Sequence, residues 1–340
     1  ISGATARGGL GGLLSAGTLS PSLPLVAPSL QDLTALTENE LRVLFSLHPD
    51  LVARIQQHSS AEEVASWWTQ LGADERQTLM LGASCLIGSL NGVSPSARVG
   101  ANLLNASARQ REVASEIAAL KAERTAPGFG NDVAIRKLEA EKLYLEQVTA
   151  GKIQLYLYNS ESASIIEMIG TPSTTTARTL TYVPGTFTSE LSFYKNEVQP
   201  VARWLTKRDT DMVAFVWKEG SFPGEDPQQG NIDLLRIGES NDDERAATSG
   251  QMLREFEVGL RASSDHLAAT TQIAAGHSWG LVPIAEAETL DVHFDQVHSL
   301  AGAGMPETWR RDEDTRYHHW AYFDILGVAQ VTGQVWDRRV

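Results

Sequence analysis

Cysteine is almost missing from this chain: Cys85 stands alone among 340 residues, which excludes an intramolecular disulfide and any cysteine-rich metal knuckle. It lies in the apolar stretch LMLGASCLIG. That setting predicts a buried, inert thiol, because a nucleophilic cysteine needs a basic neighbour and partial exposure. Long hydrophobic runs are missing too. No stretch of about 18 apolar residues is present to span a bilayer, so the expectation is a soluble chain, with the compartment, cytoplasmic or secreted, left open. Positive charge is scarce, since 28 Lys and Arg face 42 Asp and Glu for a net charge of −14. Such a field repels phosphate backbones and anionic surfaces, and nucleic acid is not an expected partner. Metal-site spacings are absent: there is no HExxH or CxxC, and the adjacent His318 and His319 would point to opposite faces of a strand. Walker and dinucleotide fingerprints are lacking as well, and GGLGG near the start has no strand before it. No metal or cofactor is expected.

What is present divides into three stretches. Residues 1–36 are rich in Gly, Ala, Ser, Leu and Pro without helical periodicity, and read as a flexible arm or linker. The charged start and compact apolar block of a signal peptide are not seen there. Residues 37–150 read as a helical domain. Thr37 with Glu40, and Ser60 with Glu63, stand at capping-box spacing, and Gly72 is a stop signal. A long helix is predicted from Ser96 to about Arg124 and another from Val133 to Ala150, separated by the breaker-rich TAPGFGND. Trp67 and Trp68 sit in mid-helix, where large aromatics are expected to be packing cement.

From residue 151 to 340 the period changes. IQLYLYN and SIIEMIG predict a hairpin or a pair of edge strands. Strands are then predicted at TLTYV, MVAFVWK, TTQIAAG, QVHSLAG and RYHHWAYF, with helices at SELSFYKNEVQPVARWLTK, RAATSGQMLREFEVGLRAS and LVPIAEAETL between them. Continuous apolar strands alternating with amphipathic helices specify an α/β fold with a mostly parallel sheet covered on both faces.

In such a sheet the chemistry lies at the carboxyl ends of strands. One junction there, Gly276-His277-Ser278-Trp279-Gly280, matches G-x-S-x-G, in which a sharp strand-to-helix turn lifts a serine hydroxyl above an α/β-hydrolase sheet. Ser278 is the candidate nucleophile. The amide of Trp279 would supply one oxyanion donor, and Thr186 or Phe187, after Pro184-Gly185 in VPGT, the second. An acid must follow the serine in this fold, and Asp324, after HHWAYF, is the best-placed one; Asp291, Asp295, Asp312 and Asp314 fit solvated or capping roles better. The base is the gap in this series. No histidine lies between Ile325 and Val340, and His277 is expected to point into the core.

Taken in order, WWTQLGADERQTLMLGASCLIGSLNGVSPSARVGANLLN, TLTYVPGT, VAFVWKEG, GHSWG and SLAGAG resemble a family of actinobacterial α/β-hydrolases known as a domain of unknown function, whose elbow reads GHSYG. The likeness runs over roughly residues 60–330. It implies an α/β-hydrolase fold, Ser278 as nucleophile, Asp324 as acid, and Gly185-Thr186 in the oxyanion loop. Trp279 stands where tyrosine is usual, Leu281 where serine is common, and SLAGAG where the family has G-S-P-G. The family's histidine follows the acid in an H-S-x-Y-like stretch, so the resemblance places it after Val340. The function expected is a serine hydrolase cleaving a small-molecule carboxylic ester, lipid-like esters included, through an acyl-enzyme. The alternative is a binding or assembly module that keeps the fold without a working base.

Overall fold

The computed structural model of the protein describes residues 28–122, 129–226 and 233–321. Most of the arm, residues 1–27, lies outside the described residues. Its last part is helical rather than loose: α1 (Leu30–Thr34) starts at a capping box in which Ser29 and Asp32 satisfy each other's amides, and Leu33 is fully buried. Helices α2 (Glu38–Leu47), α3 (Leu51–His58), α4 (Ala61–Gln70), α5 (Ala73–Gly82) and α6 (Ser84–Ile87) follow. The capping boxes at Thr37/Glu40 and Ser60/Glu63 form as their spacing demands. Gly72 both stops α4 and serves as the N-cap of α5.

These helices bury a core of their own, with Leu33, Leu41, Leu44, Val64, Leu79 and Leu86 around the tryptophan pair. Trp67 and Trp68 are 8% and 5% exposed, with ring centroids 5.9 Å apart, and the Trp67 indole N–H donates to Thr34 Oγ1 at 3.0 Å. Cys85 departs from expectation. It is exposed, although its surroundings desolvate the thiolate and push its pKa up, away from reactivity.

Two long helices, α7 (Pro95–Ala122) and α8 (Phe129–Thr149), lead to the sheet. Its strands are β1 (Gln154–Asn159), β2 (Ser164–Ile169), β3 (Arg178–Val183), β4 (Met212–Lys218), β5 (Thr271–His277), β6 (Gln296–Leu300) and β7 (Arg316–Trp320), in the spatial order β1-β2-β4-β3-β5-β6-β7. All neighbours from β4 to β7 pair in parallel, whereas β2 is antiparallel to both β1 and β4. The predicted hairpin therefore has one edge strand, β1, and one interior strand, β2.

Side-chain alternation on β4 assigns the two faces. Val213, Phe215 and Trp217 pack with Phe256 and Leu260 of α11 (Asp243–Ala262) and Ile284 of α13 (Leu281–Thr289). Met212, Ala214 and Val216 pack instead with Val113 and Ile117 of α7, Tyr144 and Leu145 of α8, and Ala202 of α10 (Pro200–Arg208). Both faces are covered, so β4 is buried along its whole length. The segment predicted as one helix before β4 is two, α9 (Glu190–Tyr194) and α10, because Asn196 takes φ +60° and Pro200 can only begin a helix. A short α12 (Asp265–Ala268) precedes β5, and a 3₁₀ segment, Leu234–Asn241, precedes α11.

The helical core and the sheet meet through α7. Asn102 Nδ2 donates to Gly88 O and to Tyr156 O, both at 2.9 Å, and the Arg98 guanidinium stacks 3.9 Å from the centre of the Tyr156 ring. No described helix is long and apolar enough to cross a membrane.

Candidate functional site

Every strand except β2 ends at the same edge of the sheet, and Ser278 stands at that edge where β5 stops. The chain leaves His277 in extended conformation, turns at Ser278 with φ +53°, and enters a single 3₁₀ turn, Ser278–Gly280, that leads into α13. A left-handed serine costs of order 1–2 kcal/mol, so the surrounding packing must impose it. Gly280 shows how: a Cβ there would lie 2.1 Å from Val183 O, and one at Gly276 would lie 2.6 Å from the Leu281 backbone. Both flanking glycines are required by close backbone approach.

The loop after β3 closes on the same point. A Cβ on Gly185 would sit 2.8 Å from Ser278 Cβ and 2.8 Å from His277 O, so loop and turn are in contact. Thr186 is half-buried, its amide has no acceptor among the described residues, and its Oγ1 lies 3.5 Å from Ser240 Oγ. Trp279 N–H stands at the start of the 3₁₀ turn, where amides have no intrahelical acceptor. The second donor expected of this loop is not Phe187: at φ +68° its N–H donates to Pro223 O at 2.8 Å and is committed there. Ser278 is partly exposed, and its hydroxyl has no hydrogen-bond partner among the described residues. Its carbonyl accepts from Ala303 N–H at 2.9 Å, which ties the loop after β6 to the turn. The corner thus presents a partly exposed serine hydroxyl beside amides with no acceptor among the described residues.

The other expected residues are placed less favourably. Asp324 lies outside the described residues. His277 is exposed rather than turned into the core: it ends β5, beyond the helices that cover the sheet, and its Nδ1 lies 3.1 Å from the position a Gly185 Cβ would take. His318 stacks on His298, with centroids 4.6 Å apart, and burial together with His318 holds His298 below its ordinary pKa. Asp295 accepts from Gln272 N–H, and Asp312 accepts from or pairs with His293 Nδ1 at 3.0 Å. His293 and Asp312 precede β6 and β7, so this pair sits at the opposite edge from Ser278.

A feature with little sequence signal surrounds the corner. The last residue of β4, Lys218, is fully buried; its ammonium meets Glu225 Oε2 at 3.0 Å and donates to Ala163 O at 2.7 Å and Gly220 O at 2.8 Å. Glu225 Oε2 also accepts from Phe222 N–H at 3.1 Å. Burial pulls the Lys218 pKa down and Glu225 opposes that pull. Beside them Glu190 is pushed up to about 7 by burial, against the attraction of Lys137 and Lys218. A lysine closing an apolar strand ordinarily reads as a solvated end, so MVAFVWK alone does not announce an interior ion pair.

A cavity of about 1000 Å³ opens elsewhere, between the helical core and the turn joining β1 to β2, lined by Arg98, Asn105, Tyr158, Glu219 and Arg254 among others. Ser278 is not part of its wall. Arg98 and Asn105 are spent on Gly88 O, Asn91 Oδ1 and Ser84 O, as groups that join two layers would be. Comparison with protein-family models and with curated proteins finds no match to this chain, so the reading of the corner rests on its own geometry.

Proposed function

We propose that the protein is a serine hydrolase of the α/β-hydrolase fold that cleaves a carboxylic ester, lipid-like esters included, through an acyl-enzyme on Ser278. One observation carries the reading: Ser278 is held at φ +53° at the end of β5, with Gly185 of the loop after β3 packed directly against it. That fold takes its nucleophile from a strained strand-to-helix turn and its oxyanion donors from the residue after the serine and the loop after the third strand. In this reading Thr186 and Trp279 take those two roles. In the proposed reaction the Ser278 oxygen attacks the ester carbonyl and its proton passes to a base. The carbonyl oxygen takes the negative charge against the Trp279 and Thr186 amides, and collapse expels the alkoxide, which leaves as the alcohol with the proton returned from that base. Water then reverses the attack and releases the acid. Asp324 is the proposed orienting acid, at the place where the resemblance to the actinobacterial hydrolases puts it.

A second reading, a binding module on the same fold, is favoured by the Ser278 hydroxyl having no partner among the described residues, since an activated serine donates to its base. Incubation with a fluorophosphonate and with p-nitrophenyl acetate separates the two. The hydrolase reading expects labelling and ester turnover in the parent and loss of both in Ser278→Ala. A parent that neither labels nor turns over supports the module, and labelling that persists in Ser278→Ala removes Ser278 from the mechanism.

A further inference from the structure

We infer that Lys218 and Glu225 act as positioning residues for the oxyanion loop, an inference that rests on the hydrolase reading of Ser278. A chain of contacts runs from the ion pair to the corner. All three ammonium protons of Lys218 are used, on Glu225 Oε2, Ala163 O and Gly220 O. Glu225 uses the same oxygen to hold Phe222 N–H, and Glu225 N–H returns to Phe222 O at 3.1 Å. Residues 220–225 are thereby closed into a small loop whose anchor is a buried charge. A buried pair is weak evidence for stability, because apolar replacements of similar volume are often neutral or better, while fixing one conformation is a recognised use.

The clamped loop touches both sides of the corner. The Phe222 ring packs edge-on against Trp279, centroids 5.0 Å apart, behind the residue whose amide is the first donor. Pro223 O takes the Phe187 N–H at 2.8 Å. Gly224, at φ +78°, lies so close to the Phe187 ring that a Cβ there would fall 2.2 Å from its Cδ1. Phe187 is thus pinned by its amide and by its ring, at a left-handed φ of +68° it would not choose alone. The adjacent Thr186 amide has no acceptor among the described residues, and its aim is set by the clamp. Neither Lys218 nor Glu225 touches Ser278 or substrate. Their role is to keep one of two donors in place, and a displacement of about 1 Å at such a group is able to cost roughly a hundredfold in rate.

The test uses the full-length protein and the rate of fluorophosphonate labelling, with kcat and KM for p-nitrophenyl acetate beside it. Lys218→Met/Glu225→Gln removes both charges at nearly constant volume, so neither is left buried and unpaired. We expect labelling and kcat to fall about tenfold to a hundredfold with KM within about threefold. Glu225→Gln alone keeps an acceptor for Phe222 N–H but leaves the Lys218 charge buried without its counter-ion, so it should lose at least as much as the double variant. Gly224→Ala reaches the same contact from the loop side and should reproduce the loss if the double variant fails to fold. Val113→Ala, in the α7 core packed on the sheet and outside residues 218–225, destabilises without touching the loop and should label at the parental rate. Parental labelling in both the double variant and Gly224→Ala, or an equal loss in Val113→Ala at matched stability, would overturn the inference while leaving Ser278 in its role. Labelling that survives Ser278→Ala overturns the hydrolase reading, and this inference falls with it.

Discussion

The helical core built on α1 to α6 and the carboxyl edge of the sheet solve different problems with the same chain. In the helical core the local rules agree: capping boxes close the helix starts, apolar residues recur on one face, and no non-glycine residue takes a positive φ. At the carboxyl edge they conflict. Ala163, Phe187, Ser278 and Ala301 are all left-handed there, Lys218 and Glu225 are buried as ions, and Glu190 Oε1 and Trp279 Nε1 are buried without a partner among the described residues. Four left-handed residues and a buried ion pair thus lie at the edge that carries Ser278, where the proposed function would use a fixed, unusual geometry.

The sharpest way to break this contrast compares one substitution from each region. Gly280→Ala drives a Cβ to 2.1 Å from Val183 O, and backbone has no rotamer by which to escape. It should cost about 3 kcal/mol or more and abolish labelling of Ser278. Leu41→Ala, at a fully buried site in the helical core, should cost a similar 2–5 kcal/mol by leaving a cavity. Its labelling rate well below the melting temperature should stay parental. Urea denaturation with parallel labelling checks both, and equal functional loss in the two variants would erase the distinction.

A smaller effect sharpens it with pH. Burial holds the Glu190 carboxyl at about 7, above its ordinary 4.5, among Lys137, Lys218, Glu225 and Glu141. The folded protein then binds this proton more tightly than the unfolded chain, so the stability is full below about 4.5 and is lost as pH rises through 7. Glu190→Gln should therefore stabilise at pH 8, with the gain shrinking as the pH is lowered and vanishing near 4.5. Denaturation curves at several pH values check the trend, and a pH-independent difference would contradict it.

The smallest effect expected is also the most specific. Ser278 at φ +53° carries a cost that glycine does not. Ser278→Gly should be more stable than Ser278→Ala by about 1 kcal/mol, both being unreactive. Equal melting would mean that the turn is not strained.

Much of this was legible in the sequence, and the reason differs by region. Periodicity and capping boxes are local, so α2, α4 and the strands from β3 to β6 stand where their residues predict. G-x-S-x-G is local as well: its glycines mark the two close approaches and its serine the left-handed corner. Phe187 was not decidable that way, because its amide is claimed by Pro223, 36 positions on and joined only through tertiary structure. The exposure of Cys85 and His277, and the burial of Lys218, depend on which elements stop short of covering them, which no local pattern encodes.

The most direct measurement is peptide mass spectrometry of the fluorophosphonate-treated protein. A single adduct is expected in the peptide carrying GHSWG, at the Ser278 oxygen, formed faster than on any other serine. An adduct on a different residue, or none after prolonged exposure of folded protein, would contradict it.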